Sequence, residues 1–239
     1  MMMKNMRCGM ALILAGLGMS PVHAAQEPSN PGEASQKARA QKLDLYEKHK
    51  AEYAATPEPA LVKIGPAKYL AIAGQGEPSG PEFVQKVGAL YAVAYGVKMR
   101  AMAGGRDYVV CALEGLYWGA KNKHDFVNQP RESWKWKLLI RTPEFITDQD
   151  VSSAIEQMSA GRQSEAVSSV ALEKLVEGRC VQALHIGPYE TEAKTLAAMM
   201  QLAKAKGLAR SGLHHEIYLD DPRSTDPDKL RTILRQPVQ

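Results

Sequence analysis

The sequence predicts an α+β fold made of two tandem βαββ units that form one pseudo-twofold domain. Three observations carry this. A strand-like run, a Gly/Pro turn, an amphipathic helix and two further strand-like runs follow one another from Lys68 to Arg141. The same order returns from Arg179 to Leu234. The composition, 45% hydrophobic and 23% charged over 239 residues, is that of a globular chain able to bury a core.

Residues 1–24 carry Lys4 and Arg7, an apolar run from Ala11 to Met19, and the small-residue end Ser20-Pro21-Val22-His23-Ala24. This is the layout of a secretory signal peptide, and the apolar run is too short to span a bilayer. Cys8 precedes that run, so it is not placed for lipid attachment. The mature chain is expected in the periplasm, or secreted if the cell is not Gram-negative, with no stable membrane insertion after cleavage. Without Lys4 and Arg7 the formal charge falls from +4 to +2, which argues against a nucleic-acid partner. Residues 25–42 are small and polar and read as a flexible linker, leaving 43–239 as the domain.

Leu43 to Tyr53 is a short charged helix candidate, closed by Pro57 and Pro59, which remove backbone donors and disfavour helical geometry before them. Lys68 to Ala73 reads as a strand and Gly74 to Pro78 as a turn. Ser79-Gly80-Pro81-Glu82 has the spacing of a capping box. Phe83, Val87, Leu90, Ala94 and Val97 then recur on one helical face until Gly104-Gly105. Strands follow over Asp107–Trp118 and Ser133–Arg141. Helix candidates open at Thr147 and Ser164, with Gly161 and Gly178 as breakers. The second unit has a strand over Arg179–Ile186, a turn at Gly187-Pro188-Tyr189, a helix over Glu192–Lys206 stopped by Gly207, and strands over Leu213–Leu219 and Leu230–Leu234.

No phosphate loop, nucleophile elbow, zinc-protease helix or dinucleotide fingerprint is present, and nothing in the sequence calls for a cofactor. What remains is acids and aromatics on strands. Alternation puts Glu114, Leu116 and Trp118 on one face of their strand, and His214, Glu216 and Tyr218 on one face of theirs. A carboxylate in an apolar strand needs a partner, because burying it alone costs several kcal/mol. Two readings stand side by side: the acids face solvent or pair with Lys135, Lys137 or Arg141, or they meet a ligand. Trp134, Trp136, Leu138 and Ile140 read as core. His214 and His215 point to opposite faces and do not form a metal pair, so no metal site is expected. His185 reads as a satisfied core histidine. Cys111 and Cys180 offer one bridge but read more simply as small core residues.

Five motifs carry a resemblance: Gly74 to Pro78, Ala89 to Tyr95, Leu113 to Trp118, His185 to Tyr189, and His215 to Arg223. In this order they resemble the GyrI-like small-molecule-binding family. The resemblance implies two halves framing a groove for flat, apolar, often cationic compounds. It points to Glu216 as the groove's acid, with Tyr218 beside it and Glu114, Tyr117 and Trp118 from the other half. It also extends to a branch of hydrolases that open strained cyclopropane rings, in which Glu216 and Tyr218 would be catalytic. The chain departs from the regulator and gyrase-inhibitor relatives in having no DNA-binding segment and in carrying an export signal. Three functions follow: an envelope protein that binds a small apolar or cationic aromatic ligand, a hydrolase of strained cyclopropane-type electrophiles, or an envelope protein-interaction module.

Overall fold

The computed structural model describes residues 42–124, 126–159 and 165–239. The expected signal at 1–24, the expected linker up to residue 41, and the helix signals at Gly161 and Ser164 lie outside the described residues. Asp44 opens the described part of the domain, its carboxylate accepting from the Tyr46 backbone N–H at 2.8 Å to start α1 (Leu45–Lys48). The single helix expected over 43–53 is instead two turns, α1 and α2 (Lys50–Tyr53), because His49 leaves the helical region at φ −115° and ψ 33°.

Strands β1 (Ala60–Ile64) and β2 (Ala67–Gln75) lead into α3 (Pro81–Ala103). Ser79 does not cap this helix. It stands at φ +76°, and Gly80 takes the cap position ahead of Pro81, whose missing N–H costs nothing in the first turn. Strand β3 (Glu114–Gly119) starts seven residues later than expected. The backbone from Asp107 to Ala112 instead finds partners in the N-terminal segment: Leu43 N–H donates to Asp107 O, Val109 N–H to Leu43 O, and Ala112 N–H to the Tyr46 hydroxyl. Tyr108 and Cys111 are buried there beside Leu45.

β4 (Trp134–Thr142) and α4 (Asp148–Ser159) follow. Thr147 opens α4 as expected, with Asp150 N–H donating to Thr147 Oγ1 and Thr147 N–H to Asp150 Oδ2. Next come α5 (Glu165–Ser168), β5 (Ala171–Leu175), β6 (Gly178–Ile186), α6 (Glu192–Ala205), β7 (His214–Tyr218) and β8 (Arg231–Pro237).

These strands form one antiparallel sheet in the order β1-β6-β8-β7-β3-β4-β2-β5, curled into a half-barrel. The two expected units are β2-α3-β3-β4 and β6-α6-β7-β8, and they meet through β3 and β7. Strands β1 and β5, which no alternation in the sequence reveals, cross over: β1 pairs with β6 of the second unit, and β5 with β2 of the first. Each unit is thereby tied to the other at both edges and at the centre.

On the outer face α3 lies over β2 and β4, and α6 over β6 and β8. Leu70, Ile72, Trp136, Leu138 and Ile140 pack against Leu90, Val93 and Val97. Val181, Ala183 and Leu234 pack against Met199 and Ala203. The central strands β3 and β7 are left between the two helices.

The inner face joins a small apolar cluster, Ala71, Leu116 and Leu139 with Trp118 and Leu213, to a set of buried charges. Glu114 is 0% exposed. Its Oε1 accepts from the Tyr53 hydroxyl at 3.1 Å and its Oε2 lies 2.9 Å from His215 Nε2. His215 Nδ1 faces Glu177 Oε1 at 3.0 Å, and Glu177 Oε2 accepts from Arg235 at 2.9 Å. Arg235 also donates to Gln182 Oε1 and to the Glu52 carbonyl, while Arg141 donates to Glu52 Oε2 at 2.7 Å. Glu114 therefore neither faces solvent nor pairs with Lys135, Lys137 or Arg141; its partners come from α2 and β7. Glu52, Glu114 and Glu177 face Arg141 and Arg235, so the set is neutral only with His215 protonated. Burial opposes that charge, but Glu177 and Glu114 outweigh it and push the imidazole up to about 9.

Candidate functional site

The expected groove floor is the outer face of β3 and β7. The register places Gly115 opposite Glu216 and Tyr117 opposite His214, and directly opposed residues share a face. Tyr117, His214, Glu216 and Tyr218 therefore lie together, under the gap between α3 and α6. The sequence expectation for the face of His214, Glu216 and Tyr218 holds, and so does that for Glu114, Leu116 and Trp118. These are, however, opposite faces of the sheet. Of the five expected groove residues the fold brings together Tyr117, Glu216 and Tyr218, and it turns Glu114 and Trp118 into the half-barrel.

Glu216 is 7% exposed and both of its oxygens are engaged. Oε2 accepts from the Tyr218 hydroxyl at 2.7 Å, and Oε1 lies 3.3 Å from His214 Nε2. The Tyr117 and Tyr218 hydroxyls are 2.6 Å apart. A phenol has one proton to give, and that of Tyr218 is committed to Glu216, so Tyr117 is the donor of the pair. Burial, and next the Glu216 charge, pushes both phenols well above their ordinary range, which keeps both protons in place.

Three side chains that the strand pattern does not mark complete the site. Glu192, the first residue of α6, has an Oε1 sealed from solvent and without a hydrogen-bond partner. Burial, then the charge of Glu216, raises its carboxyl well above the usual carboxylate range, against the pull of Arg131. Tyr189 packs edge-on against Tyr218, with ring centroids 5.8 Å apart. Phe126 stacks on His214 at 5.3 Å and meets Trp134 at 4.7 Å, so an aromatic wall closes the end of the groove nearest Tyr117. Arg131 lies over Trp134 at the rim. Glu192 sits where a helix favours an acid for its dipole alone, so the sequence offered a sufficient structural reason for it. Tyr189 lies in a turn motif and Phe126 in a polar loop, which gave no periodic signal.

His214 Nδ1 is buried and has no hydrogen-bond partner. His214 and His215 point to opposite faces, as alternation requires, and among the described residues no cluster could hold a metal ion. His185 is a satisfied core residue, bonded to Thr195 Oγ1 at 2.9 Å and to the Pro188 carbonyl at 3.1 Å. Cys111 and Cys180 are both free and buried, and burial pushes each thiol up to about 12. Among the described residues no helix is long and apolar enough to cross a membrane.

Two comparisons bear on this arrangement. A conserved uncharacterised protein from Listeria innocua is 36% identical, with a TM-score of 0.77 over 83% of this chain and 100% of its own. Two hydrolase structures from the same organism are each 35% identical, with TM-scores of 0.73 and 0.74 and the same coverage. No curated protein sequence matches the chain. The sequence pattern of the GyrI-like small molecule binding domain spans residues 57–239 and so takes in both βαββ units and the groove between their helices. By that match, and by relatives that align over their whole length, the chain belongs to the GyrI-like small-molecule-binding family.

Proposed function

We propose that the groove binds a small, flat, apolar electrophile and hydrolyses it, with Glu216 as general base and Glu192 as general acid. The observation that carries this is a pair of carboxyls in unlike surroundings at one site. Glu216 accepts from the Tyr218 hydroxyl, and Glu192 has a buried oxygen without a hydrogen-bond partner and a carboxyl that burial, then the Glu216 charge, raises well above the usual carboxylate range. Capture of a cation would need the first carboxylate and gains nothing from the second. The 35% identical hydrolases are a further support.

The substrate class that fits is a cyclopropane conjugated to a carbonyl. Glu216 takes a proton from water as the water oxygen bonds to a ring methylene. The strained carbon–carbon bond breaks, and its electron pair passes to the carbonyl oxygen, which receives the Glu192 proton. Water then returns the proton from Glu216 to Glu192. Tyr218 serves here as a donor that orients Glu216, since its proton is already committed. The aromatic rings of Phe126 and Trp134 at one end and Tyr189 beside Tyr218 support flat compounds and favour a second reading, binding of a cationic aromatic without turnover. No feature of the groove favours a protein partner. Export rests on the layout of residues 1–24 alone.

The test is incubation of the full chain with a spirocyclopropyl cyclohexadienone in 18O-labelled water. The expected result is a ring-opened phenol carrying one 18O on the side chain, formed by the wild type and not by Glu216→Gln or Glu192→Gln. Equal rates in all three proteins, or label-free consumption, would reject the hydrolase reading.

A further inference from the structure

The two tyrosines of the groove floor sit at matching places in the two units. Aligning Glu114-Gly115-Leu116-Tyr117 with His215-Glu216-Ile217-Tyr218 puts Gly115 where the second unit has Glu216. The β3–β7 register then sets Gly115 directly opposite Glu216. Each tyrosine leans back along its strand towards the residue two before it. Tyr218 reaches the Glu216 carboxylate, and Tyr117 covers Gly115.

Gly115 is not among the residues with positive φ, so its backbone does not demand glycine. Space does. A Cβ there would stand 2.7 Å from Tyr117 Cε2, 2.9 Å from its hydroxyl oxygen and 3.0 Å from Cζ. The atoms in the way are those of the ring and hydroxyl that meet Tyr218. Any side chain at 115 must lift the Tyr117 ring, and with it the hydroxyl that meets Tyr218; Phe126 at 6.4 Å and Trp134 at 6.2 Å stand together on one side of that ring.

We propose that Gly115 is a positioning residue of the groove: its missing side chain lets Tyr117 fold back on β3 and deliver its proton to Tyr218, which fixes the Tyr218 proton on Glu216. The absence also leaves a single floor carboxylate, where a repeated acid would set two like charges face to face. The inference rests on the reading of this groove as the functional site, and its test is independent of turnover.

The experiment reads the hydroxyl protons of Tyr117 and Tyr218 by proton NMR in the full chain, assigned through Tyr117→Phe and Tyr218→Phe. Both are expected as protected downfield signals in the wild type. In Gly115→Ala the Tyr117 signal should vanish, or exchange about tenfold faster or more, as for the loss of one hydrogen bond. Gly115→Ala/Tyr117→Leu should recover the thermal midpoint lost in Gly115→Ala, which identifies the Tyr117 ring as what the added Cβ strikes. If Gly115→Ala alone does not fold, recovery of folding in the double variant supports the proposal and failure to recover overturns it. A folded Gly115→Ala with the wild-type Tyr117 signal also overturns it. Loss of the signal with no hydrolysis by the wild type would keep this inference and reject only the hydrolase reading.

Discussion

Replacing His215 with Gln tests the charge set inside the half-barrel. The side chain is fully buried, 2.9 Å from Glu114 and 3.0 Å from Glu177. Gln can still donate one hydrogen bond, but the change leaves three carboxylates facing two guanidiniums. One uncompensated buried charge costs about 3–5 kcal/mol. In a chain of this size that lowers the melting temperature by roughly 6–20 °C. The pH dependence is a sharper signature. The folded-state pKa of His215, about 9, is raised above an unfolded value of about 6.5. Its contribution is therefore complete below about pH 6.5 and is lost as pH rises through about 9, a total of about 3 kcal/mol. Urea unfolding of wild type and His215→Gln at steps between about pH 6.5 and 9 should show stability falling in the wild type and much less in the variant. Both proteins keep Cys111 and Cys180, whose raised thiols act in the same direction, so the difference between the two slopes isolates His215. Parallel slopes would refute a protonated His215 as the ion that neutralises the network.

Three further outcomes follow from the same packing. Tyr53→Phe removes the donor to Glu114 and the acceptor of Arg141, so it should cost about 1–3 kcal/mol in urea unfolding; a change within 0.5 would contradict the role given to α2. Gly74→Ala would place a Cβ 2.1 Å from the Trp136 ring, which lies over Gly74 with its indole N–H donating to the Gly76 carbonyl. It should destabilise by about 1–3 kcal/mol and shift Trp fluorescence, whereas an unchanged spectrum would contradict that contact. Cys111→Ala/Cys180→Ala should show the same unfolding midpoint with and without reductant, and a wild-type midpoint that moves with reductant would reveal a disulfide where the structure has free thiols.

Alternation along β3 and β7 was legible in the sequence and correctly sorted each strand's residues into faces. It also contained a conflict. Glu114 and Tyr117 are three residues apart on one strand, so they could not both line one groove, whatever the resemblance implied. Which residues of β3 and β7 share a face is fixed by the register, Glu114 opposite Ile217, and which face bears the helices by packing, Leu138 opposite Gly115 lying in the α3 cluster; both are non-local facts. Strands β1 and β5 escaped notice because each is a half-exposed edge of five residues whose partner lies in the other unit. The apolar run at Val109-Val110-Cys111 looked like strand from composition, yet its hydrogen bonds go to Leu43 and Tyr46. Glu192 was invisible as a site residue because the helix dipole already accounted for an acid there. Its state depends on the neighbouring Glu216, which is far away in sequence.

The most direct measurement is the crystal structure of Glu216→Gln soaked with the spirocyclopropyl dienone. The variant should hold the compound unreacted. The account predicts density over Tyr117 and Tyr218 between α3 and α6, with the carbonyl oxygen on the Glu192 carboxyl and the cyclopropane beside residue 216. Occupancy instead of the cavity of about 410 Å³ between Pro57, His185 and Lys194, with the groove empty, would contradict it.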